Sequence, residues 1–362
     1  MDQGAAMEKA QRNYLIDNLK VLLIFFVVLG HVVEYYIQGN SFFMGLYLFI
    51  YFFHMPLFVF ISGYLSKNID KCRKGAIKSL LIPYIVFNII WYVLAYATTG
   101  ELKWPIIYPG WTLWYLISLF FWRISLKYLM RIKYIIPISI ICGLLIGAMP
   151  RGGVVLSLSR TITFLPFFLI GYYTNEHMLN KVSKISKRLS MIGITAAALL
   201  AFYLGKYNLV DYNFLYHSKA YSYSGLSISE GVLFRGAIYI GATLLSVCVL
   251  NLIPRKKVFF TNIGEKTMNI YLFHPYMTIA VYAIIHVLKL LSYTILSNIV
   301  VMVSPFLIMY LLTRGPAQKI YNGLFNTIYK VLYHRKIWEP CKKKYVFIKP
   351  KLVRLGRKIL RF

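Results

Sequence analysis

The chain has 362 residues, 59% of them hydrophobic and only 14% charged, and a mean hydropathy of +0.62, a balance too apolar for a water-soluble protein of this size. Its apolar residues come in unbroken runs of about 20, the length of a membrane-crossing helix, rather than in the short alternating segments of a β-barrel. The formal net charge of +30 would suit a nucleic-acid binder, but Lys and Arg sit in short loops between apolar runs, as topology places them, so no nucleic-acid partner is expected.

The expected fold is all-α, a polytopic membrane bundle of about ten transmembrane helices. A 20-residue template puts them at 18–38, 43–66, 79–97, 111–130, 134–149, 161–176, 189–205, 231–252, 268–288 and 294–313. Lys9 and Arg12 precede the first span, and clusters such as Lys181, Lys184, Lys187 and Arg188 follow the even-numbered ones. Arg151, after the fifth, is the weak exception. Both termini are therefore expected in the cytoplasm, with the chain in the cytoplasmic (inner) membrane. No cleavable leader is expected, since the first residues are polar and the first apolar run is long. Residues 1–313 form the membrane domain in this reading, and 314–362 a basic amphipathic tail, with Arg335, Lys342 and Arg361 among its cations, lying on the anionic leaflet.

The first span carries ionisable residues. Asp17 and Lys20 stand at its start, and His31 and Glu34 lie far along it. Eleven residues from Lys20 to His31 cover about 16 Å at 1.5 Å each, near the middle of a hydrocarbon core about 30 Å thick or just beyond it. Ionisable groups at such depth face a bundle interior or a wet cavity. The i,i+3 spacing puts His31 and Glu34 on one face, where a carboxylate can fix an imidazole's tautomer and raise its basicity. That is the makings of a general base; the plainer alternative is a polar contact between helices. Asp17 and Lys20, also i,i+3, would hold the inner mouth.

Further along, the second span places His54 near mid-depth and Ser62 near its inner end, with Pro56 removing a backbone donor between them. The following loop offers Arg73, Lys74 and Lys78, either topology signals or a phosphate-binding cluster. Trp111, Trp114 and Tyr115 open the fourth span at the outer surface, Arg160 precedes the sixth, and Tyr271 and His274 lie toward the inner side of the ninth. Outer loops 98–110 and 207–230 are rich in Tyr, Trp, Ser and Gly. Such rings anchor membrane edges or stack on sugars. Cys72, Cys142, Cys248 and Cys341 show neither CxxC nor Cys/His spacing, so no metal site or disulfide framework is expected. Gly143 and Gly147 form a GxxxG-like pair, a weak homodimer signal. Walker, GxGxxG, GxSxG and HExxH motifs are missing.

Taken together, Asp17-Asn-Leu-Lys followed by His31, Phe53-His54-Met55-Pro56 with Ser62-Gly63-Tyr64, Pro83-Tyr84, Leu113-Trp114-Tyr115-Leu116, Pro166-Phe167-Phe168 with Gly171, and Gly264 through Tyr271 and His274 make a sequence that resembles the acyltransferase family 3 of integral membrane proteins, in the fucose 4-O-acetylase-like branch. The resemblance implies O-acylation of a cell-surface or lipid-linked glycan of a bacterial envelope, with cytoplasmic acetyl-CoA as a co-substrate and no permanently bound cofactor. It makes His31 the essential histidine and Lys20 the basic residue before it, where many members have Arg. Where some members carry Arg-x-x-Arg after the second span, this chain has Arg73-Lys74 with Lys78. Some relatives add an extracytoplasmic SGNH-type domain that is not found here, so the chain either acylates its acceptor itself or hands the group on.

The expected catalytic set is thus His31, Glu34 and His54. Lys20, Arg73, Lys74 and Lys78 would hold the acyl-CoA donor, and Asp17, Ser62, Trp114, Tyr115, Arg160 and Tyr271 would serve substrate binding. His31 acts either as base or as a transient acyl carrier, with His54, Ser62 or Tyr271 as the oxyanion donor. The competing class is a polysaccharide or lipid transporter, which should show inverted repeats; none is found in the sequence.

Overall fold

The computed structural model describes residues 13–100, 107–149, 155–288 and 294–333. Among them there is no strand. The helices are α1 (Tyr14–Val33), α2 (Ser41–Tyr64), α3 (Ile69–Ala76), α4 (Ile82–Thr99), α5 (Trp114–Leu129), α6 (Ile135–Leu145), α7 (Leu158–Tyr173), α8 (Glu176–Val182), α9 (Lys187–Lys206), α10 (Ile228–Leu252), α11 (Thr267–Val287), α12 (Thr294–Thr313) and α13 (Gly315–Tyr333). The expected all-α polytopic class holds. Eight of the described helical segments are long and apolar enough to cross a membrane. The fourth and fifth expected spans are shorter helices, α5 and α6, of 16 and 11 residues. Turns at residues 107–113, around Pro109 and Gly110, delay the start of α5. A single π-helical turn, Ile77–Leu81, joins α3 to α4.

Local signals set the boundaries. The Asn13 side chain accepts the Ile16 amide and starts α1 four residues earlier than hydropathy suggests. Asn40 caps α2 in the same way, and a Ser227/Glu230 capping box opens α10. Because α1 begins at Tyr14 and gives way to a 3₁₀ turn at Glu34–Tyr36, His31 falls in its last turn. That puts it past the middle of the 23-residue apolar segment Tyr14–Tyr36.

The chain divides into two compact units, Met1–Met309 and Tyr310–Phe362. In the first, α2 packs against α1, α7, α9 and α10, and its buried core includes Leu19, Leu23, Phe53, Leu57, Ile61 and Leu245. The α2–α7 contact is close enough to exclude side chains. A Cβ on Gly63 would lie 1.9 Å from the Phe168 oxygen, and one on Gly171 would lie 1.9 Å from the Phe60 oxygen. Leu199 and Leu200 on α9 and Leu233, Ile240 and Leu244 on α10 are more than half exposed, an apolar surface suited to lipid rather than water. The GxxxG-like pair is not free for a second copy. Gly143 faces the Tyr239 hydroxyl and Gly147 faces Tyr221 and Arg235, so this chain's own side chains fill the groove. Cys142 lies within α6, as its expected span requires, with its side chain exposed. In the second unit, α13 carries a ladder of Tyr321, Phe325 and Tyr329 rings. The tail cations at 335–361, and Lys9, Arg12, Arg151 and Cys341, lie outside the described residues.

Candidate active site

The last turn of α1 brings His31 and Glu34 together as their spacing requires: His31 Nδ1 lies 3.0 Å from Glu34 Oε2. A carboxylate only accepts, so Nδ1 carries a hydrogen, and in the neutral ring Nε2 then keeps its lone pair. The Tyr51 hydroxyl oxygen is 3.3 Å from the same Nδ1. Glu34 is held from two further sides. Trp111 Nε1 donates to Oε2 at 3.3 Å, and the Tyr216 hydroxyl donates to Oε1 at 2.9 Å. Tyr47 in turn donates to the Tyr216 hydroxyl at 2.6 Å. The carboxylate thus accepts three hydrogen bonds, which hold it and, through it, the imidazole in one orientation.

Two further histidines stand beside this pair. His54 Nδ1 donates to the Ile50 carbonyl at 2.7 Å. His274 Nδ1 lies 2.8 Å from the Tyr271 carbonyl and 3.1 Å from that of Ile270, and its buried Nε2 has no partner. The His274 ring is 5.4 Å from the His31 ring. His274, expected toward the inner side of its span, thus stands beside His31. Since each neutral imidazole commits its hydrogen at Nδ1, none offers a donor at Nε2.

That donor comes from α7. Arg160 lines a cleft of about 40 Å³ together with His31, Tyr51, His54, Met55 and Trp114. Its Nε donates to the Tyr216 carbonyl at 2.9 Å, its guanidinium lies 5.1 Å from the Trp114 ring, and its terminal amino groups have no hydrogen-bond partner among the described residues. Trp114 and Tyr115, expected at the outer surface, turn inward. Trp114 stacks on Phe164 at 5.2 Å, and buried Tyr115 shares a 2.5 Å hydrogen bond with Ser62. Ser62 also donates toward the Phe58 carbonyl, and Tyr271 donates to the Thr112 carbonyl. Both hydroxyls are committed away from the cleft, which leaves the Arg160 amino groups as the donors beside it.

Beyond Glu34 lies a cavity of about 580 Å³, lined by Glu34, Tyr35, Trp91, Trp111, Tyr212 and Tyr216 among others. Tyr216 lines both this cavity and the small cleft. The loop that carries Tyr216 is pinned in several places. Ser159 donates to the His217 carbonyl at 2.8 Å, and His217 itself has φ +53°, a conformation rare for a residue with a side chain. Burial and the Arg235 and Arg160 cations push the His217 imidazole well below its ordinary value, keeping it neutral. Burial and the Glu34 carboxylate raise the Tyr216 phenol, keeping it a donor.

The remaining expected residues lie away from this centre. Asp17 and Lys20 form a 2.8 Å ion pair in the first two turns of α1. Arg73 lies over the Tyr128 ring at 5.5 Å with a buried, unpartnered Nε, and Lys74 and Lys78 are exposed. Trp111, Tyr216, Tyr51, Tyr47 and His274 are the site members that sequence reasoning did not assign. His274 was visible as an intramembrane imidazole; the tyrosines could not be told from interface anchors.

A half-buried imidazole held by a carboxylate, beside a cation with free donors, has the chemistry to move a proton while negative charge develops on a neighbouring oxygen. Residues 13–314 match the acyltransferase domain family. The chain belongs to that family, and its long apolar helices suit a multi-pass membrane protein. Among relatives, it is 29% identical over 215 residues to the nodulation protein NolL of Sinorhizobium fredii, a match covering 53% of this chain and 57% of that protein. With the nodulation protein NolL of Mesorhizobium japonicum it shares 34% identity over 103 residues, 27% of this chain and 26% of the relative. The chain thus matches about half or less of each relative's length. No solved structure matches it.

Proposed function

We propose that the protein transfers an acetyl group from acetyl-CoA to a hydroxyl of a surface or lipid-linked glycan, with His31 as general base. The observation that carries this reading is the His31–Glu34 pair, with Nε2 free beside a cleft that Arg160 also lines. His31 Nε2 takes the acceptor hydroxyl's proton as its oxygen attacks the thioester carbonyl. The Arg160 amino groups receive the developing oxyanion. Collapse breaks the C–S bond, and the leaving thiolate recovers the proton from the His31 imidazolium, giving an O-acetyl ester and free coenzyme. The cleft, at about 40 Å³, is small beside the ligand cavity and favours acetyl over the larger succinyl.

In this reading the coenzyme's phosphates meet Lys20, Arg73, Lys74 and Lys78 at the end where α1 begins, which faces the cytoplasm. The glycan enters the 580 Å³ cavity at the other end. His54 lines the reacting cleft and Asp17 holds Lys20. Ser62, Tyr115 and Tyr271 brace the helices around it.

Isotope-labelled acetyl-CoA tests the reading directly. Purified protein should move label onto glycan from a strain that lacks it, as a base-labile ester. His31→Ala should slow this by about 10²–10⁴. Near-normal transfer by folded His31→Ala protein would remove its role, and glycan movement without labelling would favour the transporter.

A further inference from the structure

The cavity beside Glu34 has a neighbour. A second space of about 210 Å³ is lined by Trp91, Tyr92, Ala95, Thr99, Pro109 and Gly110, together with Trp111. Trp91 and Trp111 line both spaces, and their rings stand 5.8 Å apart at 38°. The shared wall is tied to the chemistry, because Trp111 donates to the Glu34 carboxylate. It also needs Gly110: a Cβ there would come within 2.4 Å of the Trp91 ring. The first space, at 580 Å³, falls in the roughly 300–1,000 Å³ of a ligand cleft. The second is too small to serve alone and suits an extension of whatever fills the first.

The lining is flat rings with polar rims and one carboxylate, Glu34. Phosphate would find no cation among these lining residues. A sugar presents apolar C–H faces to rings and hydroxyls to their edges, and successive sugars in a chain present such faces in succession. We infer that the acceptor is bound as a chain of at least two sugar units, the reacting sugar in the cavity at Glu34 and its neighbour across the Trp91–Trp111 wall. This rests on the acyl-transfer reading for the identity of the first site.

Two measurements separate the inference from that reading. The first compares kcat/KM for labelled acetyl transfer to intact glycan from a strain lacking the protein and to the methyl glycosides released from it by methanolysis. The second compares binding of fluorescently labelled fragments of the same two preparations by equilibrium dialysis, with no acyl donor present. The wild type should prefer the chain by tenfold or more in both. Thr99→Trp, which fills the second space, and Tyr92→Ala, which removes part of its wall, should each pull the ratio toward one. A wild-type ratio near one, as expected if lipid occupies the second space, would overturn the inference while leaving acyl transfer standing. So would an unchanged ratio in both folded variants. Chain preference in dialysis without any transfer would keep the two-sugar site and sink the acyl-transfer reading.

Discussion

Glu34→Gln isolates the electrostatic part of the proposed mechanism. The substitution keeps the size of the side chain and leaves an amide oxygen that can accept the His31 Nδ1 hydrogen. What it removes is the negative charge that stabilises His31 once Nε2 has taken a proton. The pair is in direct contact at 3.0 Å. With charge centres about 4 Å apart and an effective dielectric near 20, their attraction is about 4 kcal/mol. At about 1.4 kcal/mol per tenfold in rate, complete loss would cost about 10³ in turnover. Water entering from the adjacent cavity offsets some of this, so the expected fall is about 10²–10³ in kcat. Initial rates of labelled acetyl transfer at saturating donor, normalised to folded protein by size-exclusion chromatography and thermal unfolding, read it out. The acceptor KM should move less than kcat. A folded Glu34→Gln protein within threefold of wild type would refute the claim that this carboxylate stabilises a protonated histidine.

Tyr216→Phe deletes one charge-assisted hydrogen bond to Glu34, typically worth about 1.5–3 kcal/mol, and should slow transfer about 10–100-fold; an unchanged rate would mean that Trp111 and His31 suffice to hold the carboxylate. Met55→Ala enlarges the 40 Å³ cleft, so the kcat/KM ratio of propionyl-CoA to acetyl-CoA should rise, and a constant ratio would show that acyl size is read elsewhere. Gly63→Ala would put a methyl carbon 1.9 Å from the Phe168 oxygen; a loss of about 3 kcal/mol, the upper range for overpacking, should appear as a lower unfolding midpoint in detergent. Partial burial raises the Asp211 carboxyl, but hydrogen bonds from Ser224 and Asn213 outweigh it and hold it below its ordinary value of 3.8. Its hold on the loop is therefore full above that value and lost as pH falls through the lowered one. Amide exchange in residues 211–225 should accelerate only at such acidic pH, and Asp211→Asn should abolish the dependence.

The part of the site that lies within one turn of one helix was legible in the sequence. His31 with Glu34, and Asp17 with Lys20, follow from i,i+3 spacing in an apolar run, and the structure pairs both. Helix bounds were less legible, because hydropathy alone does not register that Asn13 caps α1 early or that a 3₁₀ turn at Thr261–Glu265 precedes α11. His274 stands beside His31 because α11 packs against α1. Partners contributed from elsewhere were not legible. Tyr216 reaches Glu34 from 182 positions away, and nothing local separates it from the other tyrosines of its loop. Likewise Arg160 and Trp114 face inward because α5 and α7 pack together, a fact of tertiary contact.

The backbone contact at Gly63 and Gly171 bears on how such a molecule can move. It joins the helix bearing Tyr47, Tyr51 and His54 to the helix bearing Arg160, main chain against main chain, with no side chain between them to slide or repack. Sliding one past the other would drive carbonyl oxygens into α-carbons, so the two travel as a single blade. A cycle in which halves of a bundle rock about a central cargo has no seam to use there. Access must come from freer pieces, such as the tyrosine loop above the blade or the helices that border it on the lipid side, and spin labels on the two blade helices should keep a constant separation whether or not substrates are bound.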